Sequence, residues 1–171
     1  MAIEPTKQNP DGVPIDPGLF GVADAEDISI EKDEARVRLF ISGGLRGQEY
    51  LFDLDVDSSG HGSFEMSCDI SKRCAERQEI KVEPSEIIGV LRAFEPAFAS
   101  REILRQGGFP PCSLIGRLEV EIGGRLFVQF FMADPAQAET AGYRAPPFVI
   151  ETTEALYRMA ERQLGIENVR P

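Results

Sequence analysis

A period of two runs through most of the chain from residue 28 onward. Ile28 and Ile30 alternate with polar neighbours, and after Glu31–Glu34 the apolar Val37, Leu39 and Ile41 alternate with Arg36, Arg38 and Phe40, the pattern of half-buried strands. The next run sets Tyr50, Phe52, Leu54 and Val56 against Glu49, Leu51, Asp53 and Asp55. Past the Asp57-Ser58-Ser59-Gly60 turn, Phe64, Met66, Cys68 and Ile70 return opposite Ser63, Glu65, Ser67 and Asp69. That alternation predicts a hairpin with one wet face. A second hairpin is written in Leu114, Gly116, Leu118, Val120 and Ile122, a Gly123-Gly124 turn, and the return Leu126, Val128, Phe130 and Met132. Phe127 and Phe131 occupy the other face of that return, which predicts a strand covered on both sides or one that forms an interface.

Two stretches change to a helical period. Pro84 at a first helical position, with Ile87, Ile88, Val90, Leu91 and Phe94 behind it, predicts an amphipathic helix. Pro96 is expected to interrupt it before a second piece carrying Phe98, Ile103 and Leu104 that stops at Gly107-Gly108. Leu156, Met159, Ala160 and Leu164 before Gly165 predict a last helix. Residues 71–79 are polar and read as a surface loop, as does the Ala- and Pro-rich stretch from Asp134-Pro135 to Pro146-Pro147. The expected fold is therefore α+β: an antiparallel sheet of about five or six strands built from hairpins, with two main helices, near 84–104 and 148–164, packed on one face.

Residues 1–27 follow neither period. Pro5, Pro10, Pro14 and Pro17 alternate with Gly12, Gly18 and Gly21, which blocks regular helix and predicts an extended arm ahead of a single domain at 28–171. Ile15, Leu19 and Phe20 break the polar pattern of the arm and are candidate anchors for a partner. The charge is skewed in the same direction. The formal net charge is −11, and residues 1–35 hold nine acids against two lysines, a local −7 that leaves −4 for the other 136 residues. So acidic a surface argues against nucleic acid or an anionic membrane as the main partner, because both need basic side chains to neutralise phosphates. No run reaches the ~18 apolar residues of a membrane span. The N-terminal residues lack the basic and apolar pattern of a secretory signal. Three cysteines at irregular spacing do not make a disulfide framework, so a cytoplasmic protein with reduced thiols is expected.

The chemically suggestive residues do not converge on a reaction. His61, the only histidine, lies in a tight turn beside Ser58 and Ser59, which cannot supply the separated nucleophile, base and orienting acid of a triad. Asp53, Asp55 and Asp57 begin like a calcium loop, but Ser58 and Phe64 stand where its glycine and bidentate glutamate belong. Cys68, Cys74, Cys112 and His61 lack the paired spacing of a zinc site. The glycines form no phosphate-binding loop. No catalytic residue, metal or cofactor is assigned.

The segment Phe40-Ile41-Ser42-Gly43-Gly44-Leu45-Arg46-Gly47 has the form of the strand leading into S-G-G-[FI]-x-G that opens the domain of the emfourin family. A hairpin like Leu118–Phe130 and a helix like Leu156–Leu164 close that domain. In this outline, over residues 36–165, the chain resembles the emfourins, small bacterial inhibitors of thermolysin-like metalloproteases. The acidic arm, the longer first hairpin and the proline-broken helix are its own.

The expected function is a non-enzymatic protein-binding module, of accessory, inhibitor or immunity type. It would act through the arm and an apolar surface, with Ile15, Leu19, Phe20, Phe127 and Phe131 as candidate contacts. The alternative is a small-molecule binder or small enzyme with a pocket between sheet and helices, near Tyr143 and Arg144. The sequence leaves the oligomeric state open.

Overall fold

The apolar alternation of residues 35–43 becomes β1 (Ala35–Gly43), the strand around which the sheet is built. In the computed structural model β1 pairs antiparallel with β2 (Tyr50–Asp57) on one side and β5 (Leu114–Ile122) on the other. Outside these lie β3 (His61–Cys68), β4 (Ala75–Lys81) and β6 (Arg125–Met132). The resulting six-stranded sheet has the order β4-β3-β2-β1-β5-β6. The structure describes residues 30, 32–44, 50–68, 75–99, 109, 113–143, 145–165, 167 and 169–171. The arm, with Ile15, Leu19 and Phe20, lies outside the described residues, as do Ile28, Ile70, Cys74, Ile103, Leu104, Gly107, Gly108, Cys112 and Arg144.

Register turns the alternation into a core. Val37 stands between Val56 and Val120, Leu39 between Leu54 and Leu118, and Ile41 between Phe52 and Gly116. All of these side chains are fully buried, each such burial contributing about 1.5–3 kcal/mol. Two helices, α1 (Pro84–Ala99) and α3 (Pro147–Leu164), pack against one another and over this face. Tyr157 of α3 meets Phe52 edge-on at 5.4 Å, and Phe52 meets Phe64 at 5.2 Å. Behind α3, the Tyr50 hydroxyl donates to the Val169 carbonyl at 2.7 Å and ties down the chain beyond the helix. The short α2 (Pro135–Thr140) follows β6, capped by Asp134, whose carboxylate accepts from the Ala136 and Gln137 amides.

Three local expectations are corrected. Residues 75–79, read from the sequence as part of a surface loop at 71–79, belong to β4. An edge strand is paired on one side only, so exposed Glu76, Arg77, Gln78 and Glu79 are tolerated there, and among the described side chains of the strand Ile80 reaches the core. Pro96 does not interrupt α1, which continues to Ala99. The proline falls in the final turn, where it removes one backbone hydrogen bond close to the helix end. The stretch after Asp134 contains α2, whose start signals, an aspartate cap followed by proline, were present but too few residues followed to show a period.

Candidate partner-binding face

The same alternation that buries one face of the sheet aims the other away from the helices. On that open face β1 contributes Arg36, Arg38 and Phe40, and β2 contributes Asp53 and Asp55, antiparallel to them. Each arginine takes the carboxylate one step along the diagonal, which a twisted sheet brings within reach. Arg38 grips Asp53 with two hydrogen bonds of 2.8 Å, and Arg36 grips Asp55 through Nε at 2.6 Å and again through Nη2. Arg117 of β5 pairs with Glu119 on its own strand. The arginines roof the acids, so Asp53 and Asp55 are each only 8% exposed. Hydrogen bonding to Asp55 raises the Arg36 guanidinium above its ordinary pKa, and hydrogen bonding to Asp53 does the same for Arg38. Each pair is joined by two charge-assisted hydrogen bonds, an arrangement suited to fixing strands and presenting charge.

An apolar strip borders the ladder. Phe40, with the Arg38 guanidinium 5.5 Å from its ring centre, is half-buried, as are Ile115, Val128 and Phe130, and Leu126 is 37% exposed. These residues share the open face by register: Phe130 lies across from Arg117, and Val128 from Glu119. The two phenylalanines singled out from the sequence lie on the opposite side of β6. Phe131 is 5% exposed, its ring over Gly116 where a Cβ would come within 2.3 Å, and Phe127 packs edge-on against Phe148 of α3 at 6.1 Å. The strand does have two apolar faces, but the outward one is Leu126, Val128 and Phe130. Phe127 and Phe131 are core contacts, because the helices cover their side.

At one end of the sheet the β2–β3 turn organises His61. The Asp57 carboxylate accepts from the Ser59 amide at 2.8 Å, from the His61 amide at 3.2 Å and from the Ser59 hydroxyl, whose oxygen lies 2.9 Å from His61 Nδ1. Partial burial works against the charged Asp57, yet these donors outweigh it and hold its carboxyl below the usual range. Here the hydroxyl sits between carboxylate and imidazole, whereas a triad needs the imidazole between the other two. An open cavity of about 460 Å³ beside the turn is lined by Glu34, Arg36, Asp57, Ser59 and Glu121 among others. Among the described residues no group of three or more His, Cys, Asp or Glu could hold a metal ion.

No family model matches the sequence, and no curated protein does. Among the described residues no helix is long and apolar enough to cross a membrane. Tyr143, near the pocket expected between sheet and helices, is half-buried against Phe109 at 6.0 Å, and its hydroxyl has no hydrogen-bond partner among the described residues. Burial alone pushes its pKa up to about 12. Sequence reasoning missed the arginine–aspartate ladder, although the signal was there: basic residues at every second position of one strand and acids at every second position of the next.

Proposed function

We propose that this chain is a non-enzymatic protein-binding module that takes a basic partner on the open face of its sheet. Inhibition of a thermolysin-like metalloprotease is the specific form suggested by the emfourin resemblance. The observation that carries the reading is the face itself. An apolar strip of Phe40, Leu126, Val128 and Phe130 adjoins a charge ladder and is covered by no described helix. Counted along the register, this face holds five cations (Arg36, Arg38, Arg77, Lys81 and Arg117) against seven carboxylates (53, 55, 57, 65, 79, 119 and 121). The surplus of acid favours a basic partner by steering, and the aromatic strip supplies desolvated contact once the partner has arrived. The layer between sheet and helices, where a small-molecule pocket would lie, is filled by Leu39, Leu54, Ile87, Leu91 and Leu156, all without exposure.

Titrating the full chain into a thermolysin-like metalloprotease while following peptide hydrolysis tests the inhibitor form. Stoichiometric loss of activity is expected, weakened about tenfold by Phe40→Ala, a typical effect for an aromatic contact at an interface. Full protease activity at a large excess of the chain rejects the inhibitor form. A bound protein that Phe40→Ala and Arg38→Ala leave bound as tightly as before rejects the open face as its site.

A further inference from the structure

The half of the open face that carries the apolar strip presents arginine ahead of carboxylate. In the Arg36–Asp55, Arg38–Asp53 and Arg117–Glu119 pairs the arginine side chains are 33–60% exposed and the carboxylates 11–19%. Along β1, β5 and β6 the face holds Arg36, Arg38 and Arg117 against Glu119 and Glu121, and the surplus of acid lies across the sheet on β2, β3 and β4. Register places Arg117 between Phe40 and Phe130, and its Nε has no hydrogen-bond partner among the described residues. A surface of phenylalanine, valine and guanidinium suits an apolar segment that brings acids and no cations.

The chain contains such a segment. Residues 11–24 hold Val13, Ile15, Leu19, Phe20 and Val22 with Asp11, Asp16 and Asp24, and no lysine or arginine. The segment joins the domain at the end of the sheet where the strip begins. Ile30 is in the core, and the Gly123 amide of the β5–β6 turn, just ahead of Leu126, donates to the Glu34 carbonyl at 2.9 Å. Phe20 precedes Ile30 by ten positions, a reach of up to about 35 Å, whereas Leu126 to Phe130 covers about 14 Å of strand. Pro14 and Pro17 have no amide to give to a ladder, so contact falls to side chains, the way proline-rich segments dock on aromatic surfaces.

We propose that residues 11–24 lie back over this half of the open face, with Ile15, Leu19 and Phe20 on Phe40, Val128 and Phe130 and with Asp16 and Asp24 among the three arginines. A tether this short holds the segment at an effective concentration on the order of millimolar, so a contact too weak to persist between separate chains is populated within one. The arm then covers the strip until a partner displaces it, and a basic partner offers the arm's acids a second place to go. The contact does not rest on the partner-binding reading, and its test contains no partner, so its failure leaves that reading standing.

The chain has no tryptophan, so Phe20→Trp in the full chain gives an emission that belongs to the arm alone, and Leu19→Trp gives a second reporter. Expected are a maximum to the blue of a tryptophan amide in water, several-fold protection from acrylamide quenching, and no dependence on protein concentration. Added to either reporter, Val128→Lys or Phe40→Ser changes an open-face side chain and should expose the tryptophan with the far-ultraviolet circular dichroism unchanged. Asp16→Lys with Asp24→Lys should do the same from the arm's side. Solvated tryptophans in both reporters overturn the proposal. So does a shielded tryptophan that Val128→Lys and Phe40→Ser both leave shielded, and so does shielding that vanishes on dilution, which assigns the contact to a second copy.

Discussion

Asp53 and Asp55 are on the side of the sheet away from the helices, yet they are as shielded as core residues because arginines lie over them. The Arg36 side chain remains 60% exposed and that of Arg38 33% exposed, so water screens the pairs and their net worth is well below that of a deeply buried ion pair. Asp53→Ala takes away the carboxylate that Arg38 grips with two hydrogen bonds and should cost about 1–2 kcal/mol in urea denaturation. Tyr143 is the converse case, a hydroxyl out of water with no partner among the described residues. Tyr143→Phe should therefore be neutral or stabilise by about 1 kcal/mol. It should also alter the alkaline limb. With a folded pKa of about 12, the unfolded chain releases this proton first, near its ordinary value of about 10. The stability that comes from keeping Tyr143 neutral is complete below that value and is lost as pH rises toward 12. Denaturation midpoints measured between pH 8 and 12 should fall less steeply in the variant, and identical slopes would remove Tyr143 as a cause.

Elements were readable where burial is one-sided and periodic, and unreadable where it is not. β1, β2, β3 and β5 each set a row of apolar residues against polar ones, and each became a strand with that row inward. β6 has apolar residues at both parities, so alternation alone could not say which phenylalanines face the helices. The missing information was Gly116 on the neighbouring strand, which leaves the space that Phe131 fills. Among the described side chains of β4 only Ile80 is buried, so its sequence carries the signature of a loop. The open-face ladder is a pairing between strands and becomes visible only once the register is known. Where a local signal is backbone geometry, it survives without a partner. Gly165 ends α3 in the left-handed conformation at φ 63°, which other residues adopt at a cost. Gly165→Ala should lower stability by about 1 kcal/mol, seen as a reduced midpoint with an unchanged denaturant slope.

At the scale of the whole molecule the charge divides into parts with separate consequences. Every described core residue lies at Ile30 or beyond, so removing residues 1–27 takes nothing from the hydrophobic core described here. It does take six acids and one lysine from the chain. The truncated chain should melt within a few degrees of the full one. Its association with a basic partner should differ in how it responds to salt. Exposed charges steer an approaching partner over roughly 8–10 Å at physiological ionic strength and over much less in 1 M salt. The full chain should therefore associate several-fold more slowly as salt rises from about 0.05 to 0.5 M, and the truncated chain should show a shallower dependence on the same axis. Stopped-flow association rates on the two chains separate the contributions, since the dissociation rate reports the apolar strip and the salt slope reports the charge. Equal slopes would assign the steering to the acids of the open face and leave the arm without a part in it.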